Sequence, residues 1–337
     1  MTRTDQYISA KAFNMSVVCA ILVVIIHSPQ CHDFSSVSYL WTGLVQLGLC
    51  QIAVPYFFMA AGYFLAKHIV GDNWWRIEVR KRIGTLLIPF FVWNFVFSFL
   101  LILVQGGGYN WKGWILFAFR TLGIVPFGGL NLGALWFVRS LFAVVLLSGV
   151  LYYCIKRWHK MVLLILFALY ALTNPYPFEG VEGVVWFAPF RTALISTCGI
   201  FWFAMGMHIC IASPELLLKR SIWPGIVGIG LLVGRCLAVR SHAGWPWGCY
   251  LGVVAIPFVL AGVWACMPRH PWPRWITSMS FPLYILHGFF NLLVRPFRPD
   301  CFWLSDLVPA AIVNILGSIA IVCGCRYILP RWLFGGR

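Results

Sequence analysis

Acidic residues are almost missing from this chain of 337 residues: nine Asp and Glu stand against 25 Lys and Arg, and charged residues of both signs make up only 10%. A soluble body of this size carries about a quarter charged residues, so a water-soluble globule is excluded. The marks of nucleotide and metal sites are missing too. Gly106-Gly107-Gly108 and Gly128-Gly129 have no Gly-Lys-Ser/Thr after them and no strand before them, which removes a Walker loop and a dinucleotide fingerprint. The 12 cysteines form no pair of Cys-x-x-Cys units, so no metal is expected. Most lie in apolar stretches and read as small apolar residues. Cys31, Cys50, Cys249 and Cys301 fall near the outer face, where a disulfide has room but no further support. Internal repeats and low-complexity tracts are absent, and no loop is long enough for an appended domain. The expectation is one membrane-embedded domain, 1–337.

What is abundant is apolar surface. Hydrophobic residues make up 61% and mean hydropathy is +0.86, the composition of an all-α polytopic membrane protein. Segments able to cross a core of about 30 Å fall at 12–30, 40–66, 83–104, 132–154, 161–174, 187–211, 222–239, 247–267, 277–296 and 305–328. Arg3 and Lys11 precede the first of these as in a signal peptide, but Ser28-Pro29-Gln30-Cys31-His32 has no small-x-small cleavage site, so this helix is expected to remain as an anchor.

Basic residues set the topology. With 111–127 not crossing and both termini cytoplasmic, the inner loops receive 17 of the 25 Lys and Arg, among them Arg76, Arg80, Lys81, Arg82, Lys156, Arg157, Lys160, Lys219, Arg220, Arg269 and Arg274. The outer side receives Lys112, Arg120, Arg191, Arg235, Arg240, Arg295 and Arg298. Counting 111–127 as a crossing would place the Lys156 cluster outside, against the positive-inside bias. About ten crossings are therefore expected, with an interfacial or re-entrant segment near 105–131. The net charge of +16 follows from topology and the anionic inner leaflet. Spread over many short loops, it gives no nucleic-acid surface.

Three ionisable residues fall inside spans: His27 near the outer end of the first, Arg139 about two turns into the fourth, His287 in the ninth. Each has an ordinary explanation, as an interfacial histidine, a snorkelling arginine and a packing histidine. Three costly residues at similar depth also suit a polar cavity between helices. Asn94, Gln46, Gln51, Asn291 and Asn314 could line it or bond between helices. On the inner side, Arg76, Arg80, Lys81 and Arg82 are either a common positive-inside loop or a site for a multiply charged anion, since guanidinium forks match phosphate.

Several motifs occur in order along the chain: Leu22-Val23-Val24-Ile25-Ile26-His27-Ser28, Val54-Pro55-Tyr56-Phe57-Phe58-Met59, Lys81-Arg82-Ile83-Gly84-Thr85, Leu135-Trp136-Phe137-Val138 and Phe281-Pro282-Leu283-Tyr284-Ile285-Leu286-His287. Together they resemble the membrane acyltransferase-3 family of bacterial O-acyltransferases. The resemblance implies transfer of an acyl group, usually acetyl, from cytosolic acyl-coenzyme A (acetyl-CoA) to a hydroxyl or amine of an envelope glycan or lipid-linked sugar, in the cytoplasmic membrane of a bacterium. It makes His27 the base or acyl relay and Arg82, with Arg80 and Lys81, the holder of the coenzyme's phosphates. Arg139, His287, Tyr284 and Trp136 would line the acceptor cavity. An imidazole with an ordinary pKa near 6.5 suits proton transfer at neutral pH.

The chain departs from the family at two positions: Ser16 stands where an arginine is usual eleven residues before the histidine, and Thr85 replaces the second arginine of an Arg-x-x-Arg pair. Lys11, Arg139, Arg80 and Lys81 are the cations left to fill those roles. The motifs also resemble the membrane portion of some serine racemase-type resistance proteins, without their soluble domain. The competing readings are an exporter of an envelope intermediate, whose paired broken helices are not seen, and a non-catalytic assembly protein.

Overall fold

The computed structural model describes residues 3–30, 38–69, 71–105, 110–122, 133–173, 196–218, 221–240, 246–294, 297 and 306–334. Among these residues no strand occurs, and a helix stands at each of the expected crossings.

α1 (Arg3–Ile26) has 24 residues, about 36 Å at 1.5 Å per residue, enough to cross a bilayer. Its end follows from Pro29, which lacks an N–H and pushes the preceding residue off helical geometry. The last turn tightens accordingly: Ser28 N–H bonds Ile25 O at 3.1 Å and Ser28 Oγ–H bonds Val24 O at 3.1 Å. His27 lies in this turn.

The next apolar segment runs back along α1 without regular α geometry at its start. A π turn (Trp41–Gln46) and a 3-10 turn (Leu49–Ile52) precede α2 (Ala53–Lys67). Gly48 joins the two turns, and any Cβ there would collide with the Leu44 carbonyl. Lys67 Nζ meets Asp5 at 2.6 Å, while Gln46 Nε2 reaches Ile25 O at 3.0 Å. α1 and the 38–67 segment are thus antiparallel, with charge at one end and His27 at the other.

α3 (Trp74–Arg82), a π turn (Ile83–Leu87) and α4 (Ile88–Gln105) follow, so the basic residues 76–82 are helical rather than a loop. α5 (Trp111–Leu122) has 12 residues, none buried. Its rise of about 18 Å is too short for the roughly 30 Å core. Asn94 Nδ2 holds it to α4 through Arg120 O at 2.9 Å and Thr121 O at 2.6 Å. This agrees with an interfacial segment, although 106–109 and 123–131 lie outside the described residues.

α6 (Trp136–Thr173) is broken at Trp158, whose φ of −137° and ψ of 42° are not helical. Ser196 N–H bonds Ser140 Oγ at 3.0 Å and Thr197 Oγ1 lies 2.5 Å from Thr173 Oγ1. Both ends of α6 therefore meet the same two residues, so it folds back on itself as a hairpin with Lys156, Arg157 and Lys160 at its tip. The two crossings expected at 132–154 and 161–174 are its arms.

α7 (Thr197–Ala212) packs on α2 with Gly62 against the Phe203 backbone and Gly206 against Met59. α8 (Trp223–Arg240) meets α9 (Pro246–Cys266) at Gly225 and Gly262. Small residues permit this close approach, the usual means of helix association in lipid. α10 (Ser280–Val294) and α11 (Leu307–Ile328) pack on each other and on α1.

One expectation is corrected here. Arg235 was expected on the outer side, yet it lies within α8 and is 1% exposed. It donates to Leu47 O, and Gly252 of α9 makes room for it: a Cβ there would lie 3.1 Å from Arg235 Nε. Cys50 is buried and free. Arg191, Lys219, Arg220, Arg295, Arg298, Cys31 and Cys301 lie outside the described residues, as do the side chains of Arg240 and Cys249.

Candidate functional site

Two of the three intramembrane ionisable residues come together. The His27 and His287 rings have centroids 4.9 Å apart at 32°, although most of the chain separates them. His27, on the last turn of α1, is exposed, whereas His287, on α10, is 1% exposed. His287 Nδ1 lies 2.7 Å from Tyr284 O. A carbonyl only accepts, so Nδ1 carries the proton and Nε2 keeps the lone pair. The pair thus consists of an accessible imidazole backed by one whose tautomer the α10 backbone sets.

Aromatic residues position α10. The Tyr284 hydroxyl donates to Ala134 O, and its ring lies 5.4 Å from Phe137, 6.2 Å from Phe57 and 6.3 Å from His287. Trp136 flanks this cluster, 6.4 Å from Phe137. Arg139 is partly buried three residues on from Trp136, on the same helical face. The expected residues Trp136, Arg139, Tyr284 and His287 therefore belong to one pair of adjoining elements, α6 and α10, with His27 facing them from α1.

The cationic cluster lies at the other end. The π turn after Arg82 packs against the 3-10 turn Arg331–Phe334 that follows α11, whereas Asn314, early in α11, bonds Ser28 Oγ beside His27 at 2.9 Å. Those fourteen residues of α11 between Asn314 and Ile328 put the cluster about 20 Å or more from the histidines. Lys81 Nζ and Arg82 Nε lie 3.2 and 3.5 Å from the buried Glu78 carboxylate, while Arg76 and Arg80 are exposed. One acid against four cations leaves a net positive surface suited to a multiply charged anion.

Both departures turn inward on their own helices. Ser16 Oγ–H bonds Ala12 O at 2.9 Å and lies 3.3 Å from Tyr56 Oη; Thr85 Oγ1–H bonds Lys81 O at 3.1 Å. Lys11 is buried, its Nζ 5.1 Å from the Trp264 ring. A small apolar cleft opens beside it, lined by Ile8, Ala12, Tyr56, Tyr63, Phe64 and Trp264 among others.

Residues 15–325 match the family described as an acyltransferase domain. The chain belongs to this acyltransferase family. It is also similar to the succinoglycan biosynthesis protein ExoH of Rhizobium meliloti (strain 1021), 26% identical over 190 residues, 51% of this chain and 50% of the relative. The chain thus matches about half the length of that curated relative. No solved structure matches it.

One feature of this acyltransferase-family chain was not evident from its sequence. Arg235 is a buried intramembrane cation; the apolar residues on both sides of it, Leu231-Leu232-Val233 and Leu237-Ala238-Val239, are the available signal. Gln46 is buried and bonds the end of α1, the interhelical role that was one of the two its sequence offered.

Proposed function

We propose that this protein transfers an acyl group, acetyl in the first instance, from cytosolic acyl-CoA to a hydroxyl of an envelope polysaccharide or its lipid-linked precursor, in the cytoplasmic membrane of a bacterium. The observation that carries this reading is the His27–His287 pair: an accessible imidazole at the end of a membrane helix, backed by a buried one of set tautomer. Family membership supplies the reaction class, and the polysaccharide acceptor is suggested by the name of the similar succinoglycan biosynthesis protein.

In this reading Arg80, Lys81 and Arg82 hold the coenzyme's phosphates. His27 takes the proton of the acceptor hydroxyl as its oxygen attacks the thioester carbonyl. The new C–O bond forms, the C–S bond breaks, and the proton passes from His27 to the departing thiolate, giving ester and free thiol. Where the acyl group rests first on His27, a C–N bond forms as the C–S bond breaks and the imidazole N–H proton goes to the thiolate; the acceptor oxygen then displaces the imidazole, the C–O bond forming as the C–N bond breaks and the hydroxyl proton returning to His27.

The test is His27→Ala in the producing bacterium, with mass spectrometry of envelope polysaccharides and in vitro thiol release. A positioned base contributes about 10²–10⁴-fold, so acylation should vanish while protein abundance persists. Acylation within a few-fold of wild type would refute the role of His27.

A further inference from the structure

The last carbonyls of a helix have no partner within it, and at membrane depth water does not supply one. α1 ends at this depth because of Pro29, and the residues just past it close its last turn: His27 N–H bonds Val23 O, Ser28 Oγ–H bonds Val24 O, Ser28 N–H bonds Ile25 O and Gln30 Nε2 bonds Ile26 O. A side chain from the next segment ties this turn down from outside. Gln46 Nε2 lies 3.0 Å from Ile25 O, 3.3 Å from Ser28 O and 3.0 Å from Pro29 O, so two N–H bonds are shared among three carbonyls on either side of His27.

Gln46 is itself held at every polar atom. Thr42 Oγ1–H donates to its Oε1 at 3.0 Å, and Gln51 Nε2 donates to its backbone carbonyl at 2.9 Å. It is the last residue of the π turn, and the antiparallel run of 38–67 brings its side chain to the end of α1. On the next residue, Leu47, the buried Arg235 occupies the carbonyl. From α11, Asn314 Nδ2 donates to Ser28 Oγ at 2.9 Å. Gln46 and Asn314 are 0 and 1% exposed, far more than simple helix packing needs from polar groups.

We infer that Gln46 is a positioning residue for His27: its amide fixes the frayed end of α1, and with it the direction in which the His27 imidazole faces the accessible space and His287. The irregular π and 3-10 stretch of 41–52 exists to place that amide. The inference rests on the proposed role of His27 for its catalytic consequence, but not for its geometry.

The test uses the full-length protein in nanodiscs with two readouts. Carbethoxylation of neutral imidazoles by diethyl pyrocarbonate, followed by peptide mass spectrometry across pH, reads the setting of His27 without turnover. Steady-state acyl transfer gives kcat and the donor KM. Gln46→Met keeps the side chain's length and removes both donors. It should shift the rate and pH midpoint of His27 labelling, while His159 and His208, whose rings stack 5.1 Å apart near the opposite end, label as in wild type. kcat should fall roughly 10–100-fold, the usual cost of a displaced catalytic group, with the donor KM unchanged. Gln51→Met, which removes only the bond to the Gln46 carbonyl, should shift His27 labelling in the same direction by less, and serves if Gln46→Met does not accumulate. Wild-type labelling of His27 in both variants would overturn the inference whatever the activity. Shifted labelling together with full activity in His27→Ala would uphold the positioning role and refute the proposed function instead.

Discussion

The balance of charge at the inner end makes an unusual expectation: removing an acidic residue should strengthen donor binding. Glu78 is buried between Lys81 and Arg82, its carboxylate 3.2 and 3.5 Å from their nitrogens. If Arg82 also grips a phosphate of the coenzyme, the guanidinium stands between two anions, with carboxylate and phosphate about 8 Å apart across it. Two unit charges at that distance repel by about 2 kcal/mol at an effective dielectric of 20 and about 0.5 kcal/mol at 80. Glu78→Gln keeps an oxygen to accept from Lys81 and removes the charge, so Kd for acyl-CoA should fall roughly two- to thirtyfold. Arg82→Ala, alone or with Arg80 and Lys81, should move it the other way. The gain should disappear near 1 M salt, where the screening length is about 3 Å. Calorimetry on purified protein at low and high salt measures this directly. Unchanged or weaker binding in Glu78→Gln, together with unchanged binding in Arg82→Ala, would move the donor site away from α3.

Three further outcomes are expected. Single cysteines at positions 107 and 129, in a background lacking the native outer cysteines, should both react with an impermeant thiol reagent added from outside; labelling of 129 only after the membrane is opened would make 105–131 a crossing. Asn14→Leu should cost about 1–3 kcal/mol, read as a lower detergent melting temperature, because Asn14 bonds His270 O at 2.9 Å, Pro268 O at 3.3 Å and Trp272 N–H at 2.9 Å; an unchanged melt would show that the loop after α9 needs no such tie. Arg235→Leu should destabilise by about 1.5–3 kcal/mol through loss of its bond to Leu47 O, and wild-type stability would mark that bond as dispensable.

Hydropathy and the distribution of Lys and Arg were enough to locate the helices, because crossing a bilayer imposes a length and a composition on each segment. His27 and His287 stood out for a related reason: an ionisable group in an apolar run is costly, and similar depth suggested a shared polar cavity with Arg139; that the two rings meet was not legible. The misreading of Arg235 has the opposite origin. The expected span 222–239 already contained it, and α8 runs five residues beyond it to Arg240; counting charges by side passed over the cost of a cation within that span. The π turns at 41–46 and 83–87 left no trace, since their composition matches that of the helices they interrupt. Gln46 could be named as polar and buried, but its partners lie some twenty positions earlier, and only the antiparallel register of α1 and 38–67 brings them within reach.

The hairpin of α6 bears on how the chain enters the bilayer. Only Trp158 departs from helical geometry between its arms, so the connection is as short as a hairpin allows, and Lys156, Arg157 and Lys160 crowd the bend. During synthesis cations at that bend hold it on the side of the ribosome. The tip then anchors both arms at once, so that three side chains set the direction of two helices.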